Sequence, residues 1–463
     1  MQVKNRRGRR GRRERAHLER VNLFAAGIDV GSESHFVAVP EDLASDPVRE
    51  FAGFTGDLQG LADWLVSLGI ETVAMESTGV YWIALYEILE ARGLEVVLAD
   101  ARHVKNVPGR KSDVLDCQWL QELHSFGLLR GAFRPPEEMV RLRAYLRQRD
   151  RLIAGASDSI RHMHKALRQM NLLLDKVVSD ITGVTGMAIL RAILAGERDA
   201  AELAKLRDRR CRADQRSIAG ALEGHYREEY LFELGQAVER YDFYQQQIAA
   251  CEAAIKDHLG RLGPAGDDEP GPPPARNKPK GHSKNGFEFD ARSRLYRLTG
   301  VDLTEILGMS ESSVLTVLSE TGLDMTAWPS EKHFASWLTL CPGNKVSGGK
   351  RLSGKTKASA NRAAAAFRLA AYSLANSKSA LGAYYRRLRA RLGAPKAITA
   401  TAHKLARIFY RMLKTKTPFL DPGPDYYEQQ YRQRVTRALK KRAAAIGYKL
   451  VPETCHATQE TTA

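Results

Sequence analysis

The sequence predicts a mixed α/β domain followed by long paired helices and a basic, mainly helical C-terminal part, and three observations carry that prediction. Strand-like and helix-like runs alternate between residues 23 and 134. Apolar residues then step by three and four through Ile160, Met163, Leu167, Met170, Leu174, Val177 and Ile181, the spacing of a helical seam. A stretch rich in Pro and Gly, 263–290, precedes a segment, 332–420, that holds 19 Lys and Arg and no Asp or Glu. A chain of 463 residues is long enough for two or three domains, each with its own core.

Taken in order, residues 1–20 are expected to form a flexible basic arm, with Arg6, Arg7, Arg9, Arg10, Arg12 and Arg13 set around glycines. In 21–134 the strand-like runs are 23–30, 35–39, 71–75 and 95–99, and the helix-like runs are 58–67, 81–92 and 113–126, a layout in which helices cover a sheet. Residues 135–262 carry the seam above and a looser second one through Leu234, Val238, Tyr241, Tyr244, Ile248, Cys251 and Ile255, which predicts two long helices packed antiparallel. His162 and His164 lie beside the first seam and read as solvated or interface residues. Residues 263–290 have a linker's composition. The last folded part, 291–420, begins with short helices around Gly300 and Gly308, which suggests a hairpin against backbone phosphates. It continues through an apolar run at 334–340, a loop of small and cationic residues at 341–350, and helices at 358–374 and 397–413. The tail, 421–463, reads as helical around 426–445.

Charge narrows the function. The formal net charge is +17; the arm contributes +7 and the acid-free segment +19, so the remaining residues sum to −9. A basic block without acids is a phosphate-backbone surface rather than an ordinary solvated face. No apolar run approaches the ~20 residues that span a bilayer, and the Arg-rich start lacks the apolar core of a secretory signal. Five widely spaced cysteines, Cys117, Cys211, Cys251, Cys341 and Cys455, fit neither a disulfide framework nor a zinc site, so a reducing, cytoplasmic setting is expected.

Four carboxylates supply the chemistry. Asp29 in Gly27-Ile28-Asp29-Val30-Gly31 and Glu76 in Met75-Glu76-Ser77-Thr78-Gly79 end apolar strands, and Asp113 and Asp116 sit three apart on a helix. Converging at one sheet edge, they would hold hard divalent cations such as Mg²⁺, and a pair of such ions about 3.5–4 Å apart supports phosphodiester transfer.

A second feature is Ser347, in a Gly-bordered loop beside Lys345, Lys350 and Arg351. Nearby cations favour a serine alkoxide and stabilise charge on a reacting phosphate. Ser353 has nearly the same context, so both serines remain candidates. Lys355, Lys357, Arg362, Arg368, Arg407 and Arg411 are the further candidate nucleic-acid contacts.

Gly27-Ile28-Asp29-Val30, the block from Met75 through Trp82 and the block from Asn106 through Asp116 resemble the hallmark segments of DEDD insertion-sequence transposases, the recombinases guided by a bridge RNA. The likeness continues through Gly127-Leu128-Leu129-Arg130-Gly131 and resumes at 334–357. It implies a RuvC-like N-terminal domain of the RNase H fold, a coiled-coil stalk and a C-terminal transposase domain. It further implies a metal-binding tetrad of Asp29, Glu76, Asp113 and Asp116 with two Mg²⁺ ions, and Ser347 as a nucleophile that forms a transient phosphoserine link to DNA. The implied partners are DNA, a guide RNA and further copies of the chain, as a dimer or tetramer with composite sites, in a bacterial, nucleoid-associated setting. The arm, the linker and the tail have no counterpart in the resemblance, and Lys111-Ser112-Asp113 replaces the family's usual Lys-Thr-Asp.

Three rivals remain in view. A metal-dependent junction nuclease would use water and form no adduct with protein. An actin-like or sugar-kinase-like fold would share the Gly27–Ser32 motif but needs a second phosphate loop, which the sequence lacks. A non-enzymatic nucleic-acid scaffold would leave four like charges without purpose.

Overall fold

A computed structural model describes residues 19–77, 79–99, 113–263, 271–275 and 283–451, with the side chains of Asp113, Lys345 and Arg351 outside that description. Residues 1–18 of the expected arm therefore lie outside it. The chain divides into two compact units, 1–134 and 135–463.

The first unit is a five-stranded sheet with the order β3-β2-β1-β4-β5. Its strands are β1 (Ala25–Val30), β2 (Ser34–Ala38), β3 (Val48–Ala52), β4 (Thr72–Glu76) and β5 (Glu95–Ala99). β1 pairs antiparallel with β2 and parallel with β4, which pairs parallel with β5. Because side chains alternate along a strand, Ile28, Val73 and Met75 share one face, where they pack on Leu61 and Leu65 of α1 (Thr55–Ser67) and Leu85 and Leu89 of α2 (Trp82–Ala91). Gly27, Asp29, Ala74 and Glu76 point to the other face, which α3 (Asp113–Ser125) covers. Strand β3 escapes the sequence reading for a physical reason. It is an edge strand that exposes Arg49 and Glu50, so it lacks an apolar run.

The second unit is mostly helical. Helices α4 (Glu137–Gln169) and α9 (Glu228–Leu262) pack antiparallel, as their contacts show in order: His258 Nε2 bonds the Glu138 carbonyl at 2.8 Å, Arg149 pairs with Glu252 at 2.6 Å, and Gly155 lies against the Tyr244 ring. The expected first seam does not run on as one helix. Helix α4 stops at Gln169, Asn171 turns the chain with φ +56°, and Leu172, Leu174, Val178 and Ile181 join the core that Met163 and Leu167 of α4 and its C-cap Met170 also enter. That core joins one end of α4 and the start of α9 to a cap of short helices, α5 (Leu174–Val177), α6 (Val184–Leu194), α7 (Ala200–Lys205) and α8 (Gln215–Leu222). The apolar spacing persisted past the helix end because one core buries residues on both sides of the turn. The end of the expected linker is also held in place: Arg149 donates to the carbonyls of Asn285 and Gly286 at 3.0 Å, and the Glu288 N–H donates to Glu252 at 2.9 Å.

The C-terminal portion comprises α10 (Ala291–Thr299), α11 (Glu311–Thr321), α12 (Glu331–Trp337), a hairpin of β6 (Lys345–Ser347) and β7 (Lys350–Ser353), then α13 (Arg362–Ser373), α14 (Ala380–Leu392), α15 (Ala394–Thr415) and α16 (Gly423–Ala445). Side-chain caps define the starts: Asp290, Ser310, Asn361 and Ser379 accept from N–H groups in the first turns of α10, α11, α13 and α14. Phe334, Phe367, Phe409 and Tyr385 fill the core. Gly300 closes α10 in the left-handed region, and a Cβ at Gly308 would stand 2.5 Å from the Ala370 carbonyl. Gly308 therefore serves close packing rather than the phosphate hairpin suggested by its spacing. Among the described residues no helix is long and apolar enough to cross a membrane.

Candidate active site

The carboxylate edge is built by one close approach. A Cβ at Gly27 would stand 2.2 Å from the Gln121 backbone nitrogen and 2.5 Å from the Cys117 carbonyl, so only glycine lets α3 lie directly on β1. The orientation of α3 follows from its anchors. Its C-terminal end is held at the start of the strands, where His124 bonds Thr72 at 2.8 Å and its carbonyl accepts from Asn22 at 2.8 Å; Gln121 donates to the Ala25 carbonyl at 3.3 Å. Burial pushes the His124 imidazole down from its usual value, which keeps it neutral in that contact.

With α3 antiparallel to β1, the N-terminal half of the helix reaches the strand ends. From Gly27 to Asp29 is about 7 Å along the strand, and from Gln121 to Asp116 about 7.5 Å along the helix, so the two carboxylates come level. The same proximity acts on a neighbouring thiol. The buried Cys117 thiol is pushed up to about 12, first by burial, then by the charge of Asp29, with Asp116 adding to it. Glu76 joins them because Ile28 pairs with Met75 in parallel register, and Asp29 and Glu76 are the next residues on neighbouring strands. Glu76 is only 8% exposed, while Asp29 and Asp116 are half-buried.

The structure thus brings Asp29, Glu76 and Asp116 to one end of the sheet. Among the described residues, no three His, Cys, Asp or Glu side chains are arranged to hold a metal ion. Asp113 begins α3, one turn before Asp116, and the Asn106–Ser112 part of the third block lies outside the described residues. The donor chemistry nevertheless fits a hard divalent cation. Every candidate ligand is a carboxylate, the oxygen donor that a hard divalent cation takes.

In the second unit the two candidate serines occupy different positions on one hairpin. Ser347 ends β6, exposed, opposite Lys350, and the turn between them is Gly348-Gly349 with φ +54° and +75°. Two successive left-handed residues are what a tight hairpin turn demands, and glycine supplies both without strain. Ser353 ends β7 opposite Lys345, half-buried, and its Oγ accepts from the Lys355 N–H at 3.3 Å. Val346 and Leu352 leave the hairpin 60% and 69% exposed, an unusual apolar display on a basic surface.

The candidate cations divide. Lys350, Lys355, Lys357 and Arg411 are exposed, and Arg368 is half-buried. Arg362 pairs with Asp150 at 3.1 Å and Arg407 with Glu331, so these two also serve the protein's own packing. Lys345 and Arg351 lie on the paired strands. Sequence reasoning did not single out a cleft at the hairpin base, where Pro342, Lys355 and Thr356 face Tyr384, Lys396 and His403. No local signal marks it, because its two walls lie some 40 residues apart in the chain.

An acidic sheet edge in one unit and a hairpin serine in a basic unit are compatible with nucleic-acid chemistry, and the comparisons give the class, a transposase. A transposase model of the DEDD type matches residues 26–172, and the model described as Transposase IS116/IS110/IS902 family matches residues 302–386. The chain belongs to the IS110 family of transposases, enzymes that act on the DNA of a mobile element. No match was found among curated proteins.

Proposed function

We propose that this chain cuts and rejoins DNA through a phosphoserine intermediate at Ser347, assisted by divalent metal at Asp29, Glu76, Asp113 and Asp116, and guided by an RNA encoded by the element. The observation that carries the reading is the hairpin, which presents Ser347 at an open glycine turn while Ser353 is occupied in a local hydrogen bond. The strand order, with three antiparallel and two further parallel strands, supports an RNase H-like first unit, whose acidic residues belong at the ends of the central strands. Mg²⁺ held by the four carboxylates would neutralise charge on the scissile phosphate and orient it.

The residues of the chain do the rest. Ser347 Oγ gives its proton to solvent and attacks phosphorus, forming a serine phosphodiester; the bond to one deoxyribose oxygen breaks, and that oxygen takes a proton from solvent and leaves as a hydroxyl. Attack by a hydroxyl from another strand reverses the step, restores the serine and returns its proton. No bond energy is lost to water, so rejoining needs no outside energy source. Lys350, paired with Ser347 across the hairpin, is the cation placed to contact the phosphate flank. Specificity would rest on base pairing by the RNA, with the protein reading backbone and shape.

A covalent-trapping assay tests the reading, using purified protein, RNA transcribed from the flanking non-coding DNA, a nicked element end and Mg²⁺ on a denaturing gel. The expected result is a protein–DNA band that Ser347→Ala and Asp116→Ala abolish and Ser353→Ala retains. Cleavage without any adduct, intact in Ser347→Ala, would overturn it in favour of a metal-dependent nuclease that uses water.

A further inference from the structure

Helix α16 lies beyond both family matches, and its contacts with the rest of its unit gather in its first half. Tyr427 is its single buried residue and meets Tyr384 edge-on at 6.0 Å; Arg387 pairs with Glu428 at 2.5 Å and stacks 3.5 Å over Tyr431. Past that anchor, residues 429–451 contain no Asp or Glu. The projecting part, 432–445, is about 21 Å long at the helical rise and carries Arg432, Arg434, Arg437, Lys440, Lys441 and Arg442, all exposed. Arg434, Arg437 and Lys441 step by three and four and so share a face, while Tyr431, Val435 and Leu439 step by four along another.

A lone helix of this length is marginal in water, and uncompensated like charges weaken it further. Such a rod gains most from a polyanion. We propose that α16 is a duplex-DNA docking element that continues the DNA path away from the serine hairpin, which rests on the reading of that hairpin as the DNA site. The occupant is duplex DNA because an exposed helix 10–12 Å across matches the roughly 12 Å major groove of B-DNA, whereas the major groove of duplex RNA is too narrow to admit it. Continuity with the hairpin supports the assignment. The Lys404 ammonium sits 4.6 Å over the Tyr384 ring that anchors α16, and Tyr384 also lines the cleft with Lys355, Lys396 and His403. Burial, then the charges of Arg434 and Arg407, push the Lys404 amine down, so cations of α15 and α16 crowd one another where a phosphate would relieve them.

The test is a salt titration of duplex-DNA binding by the full-length protein in EDTA, read by fluorescence anisotropy. Chemistry is absent there, so the result stands whether or not Ser347 is the nucleophile. The variant Arg434→Gln/Arg437→Gln/Lys440→Gln/Lys441→Gln should make the slope of log K against log salt shallower by about 3–4 and weaken binding at least about tenfold near 100 mM salt. Should far-UV circular dichroism show that this variant has lost helix, the charge-keeping Arg434→Lys/Arg437→Lys variant must retain the wild-type slope. A slope within one of wild type overturns the proposal, as does an equal loss on duplex RNA. An unchanged slope with a reduced oligomer mass would overturn it too, by making this face a contact between copies.

Discussion

Gly27 shows how one residue sets the geometry of the carboxylate edge. The strand backbone and α3 meet there without a side chain between them, and that contact is what brings Asp116 level with Asp29. In Gly27→Ala the new methyl meets backbone atoms on both sides, which cannot rotate away, so α3 must lift off the sheet. The expected loss is about 2–4 kcal/mol, measured as a fall in the urea midpoint, together with loss of the protein–DNA adduct even where the protein remains folded. Retention of full stability and adduct would show that α3 does not rest on Gly27. In sequence, Asp29 and Glu76 were legible because each is an acid closing an apolar strand. The role of Gly27 was not, since nothing local says that Gln121 lies 2.2 Å from where its Cβ would be.

At the scale of elements, the helix pair α4 and α9 depends on a buried ion pair that its apolar seams do not reveal. Arg149 and Glu252 are 3% and 5% exposed, joined at 2.6 and 2.8 Å, with Phe287 stacked 4.2 Å from the guanidinium. Glu252→Ala strands a buried cation and also removes the acceptor for the Glu288 N–H, so a loss of about 3–5 kcal/mol is expected. The double variant Arg149→Met/Glu252→Leu should recover part of it in chemical denaturation, because it removes the stranded charge while the Asn285 and Gly286 carbonyls and the Glu288 N–H still lose their partners. A double variant no more stable than Glu252→Ala would instead make the ion pair itself the stabilising feature. The two long helices were legible from periodicity, but their ends were not: the first seam's spacing ran straight through the turn at Asn171 into the cap core. Helix α14 was missed because Arg386, Arg387, Arg389 and Arg391 interrupt the apolar period that would have marked it.

At the scale of the molecule, the proposed function draws on carboxylates in one compact unit and a serine in the other. Homo-oligomers bring different units of different copies together by symmetry, so a complete site can form across the subunit boundary. Mixing two inactive proteins distinguishes the arrangements. When each site joins the carboxylates of one copy to the serine of another, a mixed dimer of Asp116→Ala and Ser347→Ala pairs one intact acidic edge with one intact Ser347. Random re-assortment then restores adduct to about a quarter of the wild-type yield, all of it on the Asp116→Ala polypeptide, which alone retains the serine. When each copy is self-sufficient, every site in the mixture lacks one component and no adduct forms. An epitope tag on either variant identifies the labelled polypeptide, and adduct on the Ser347→Ala chain would exclude Ser347 as nucleophile under both arrangements.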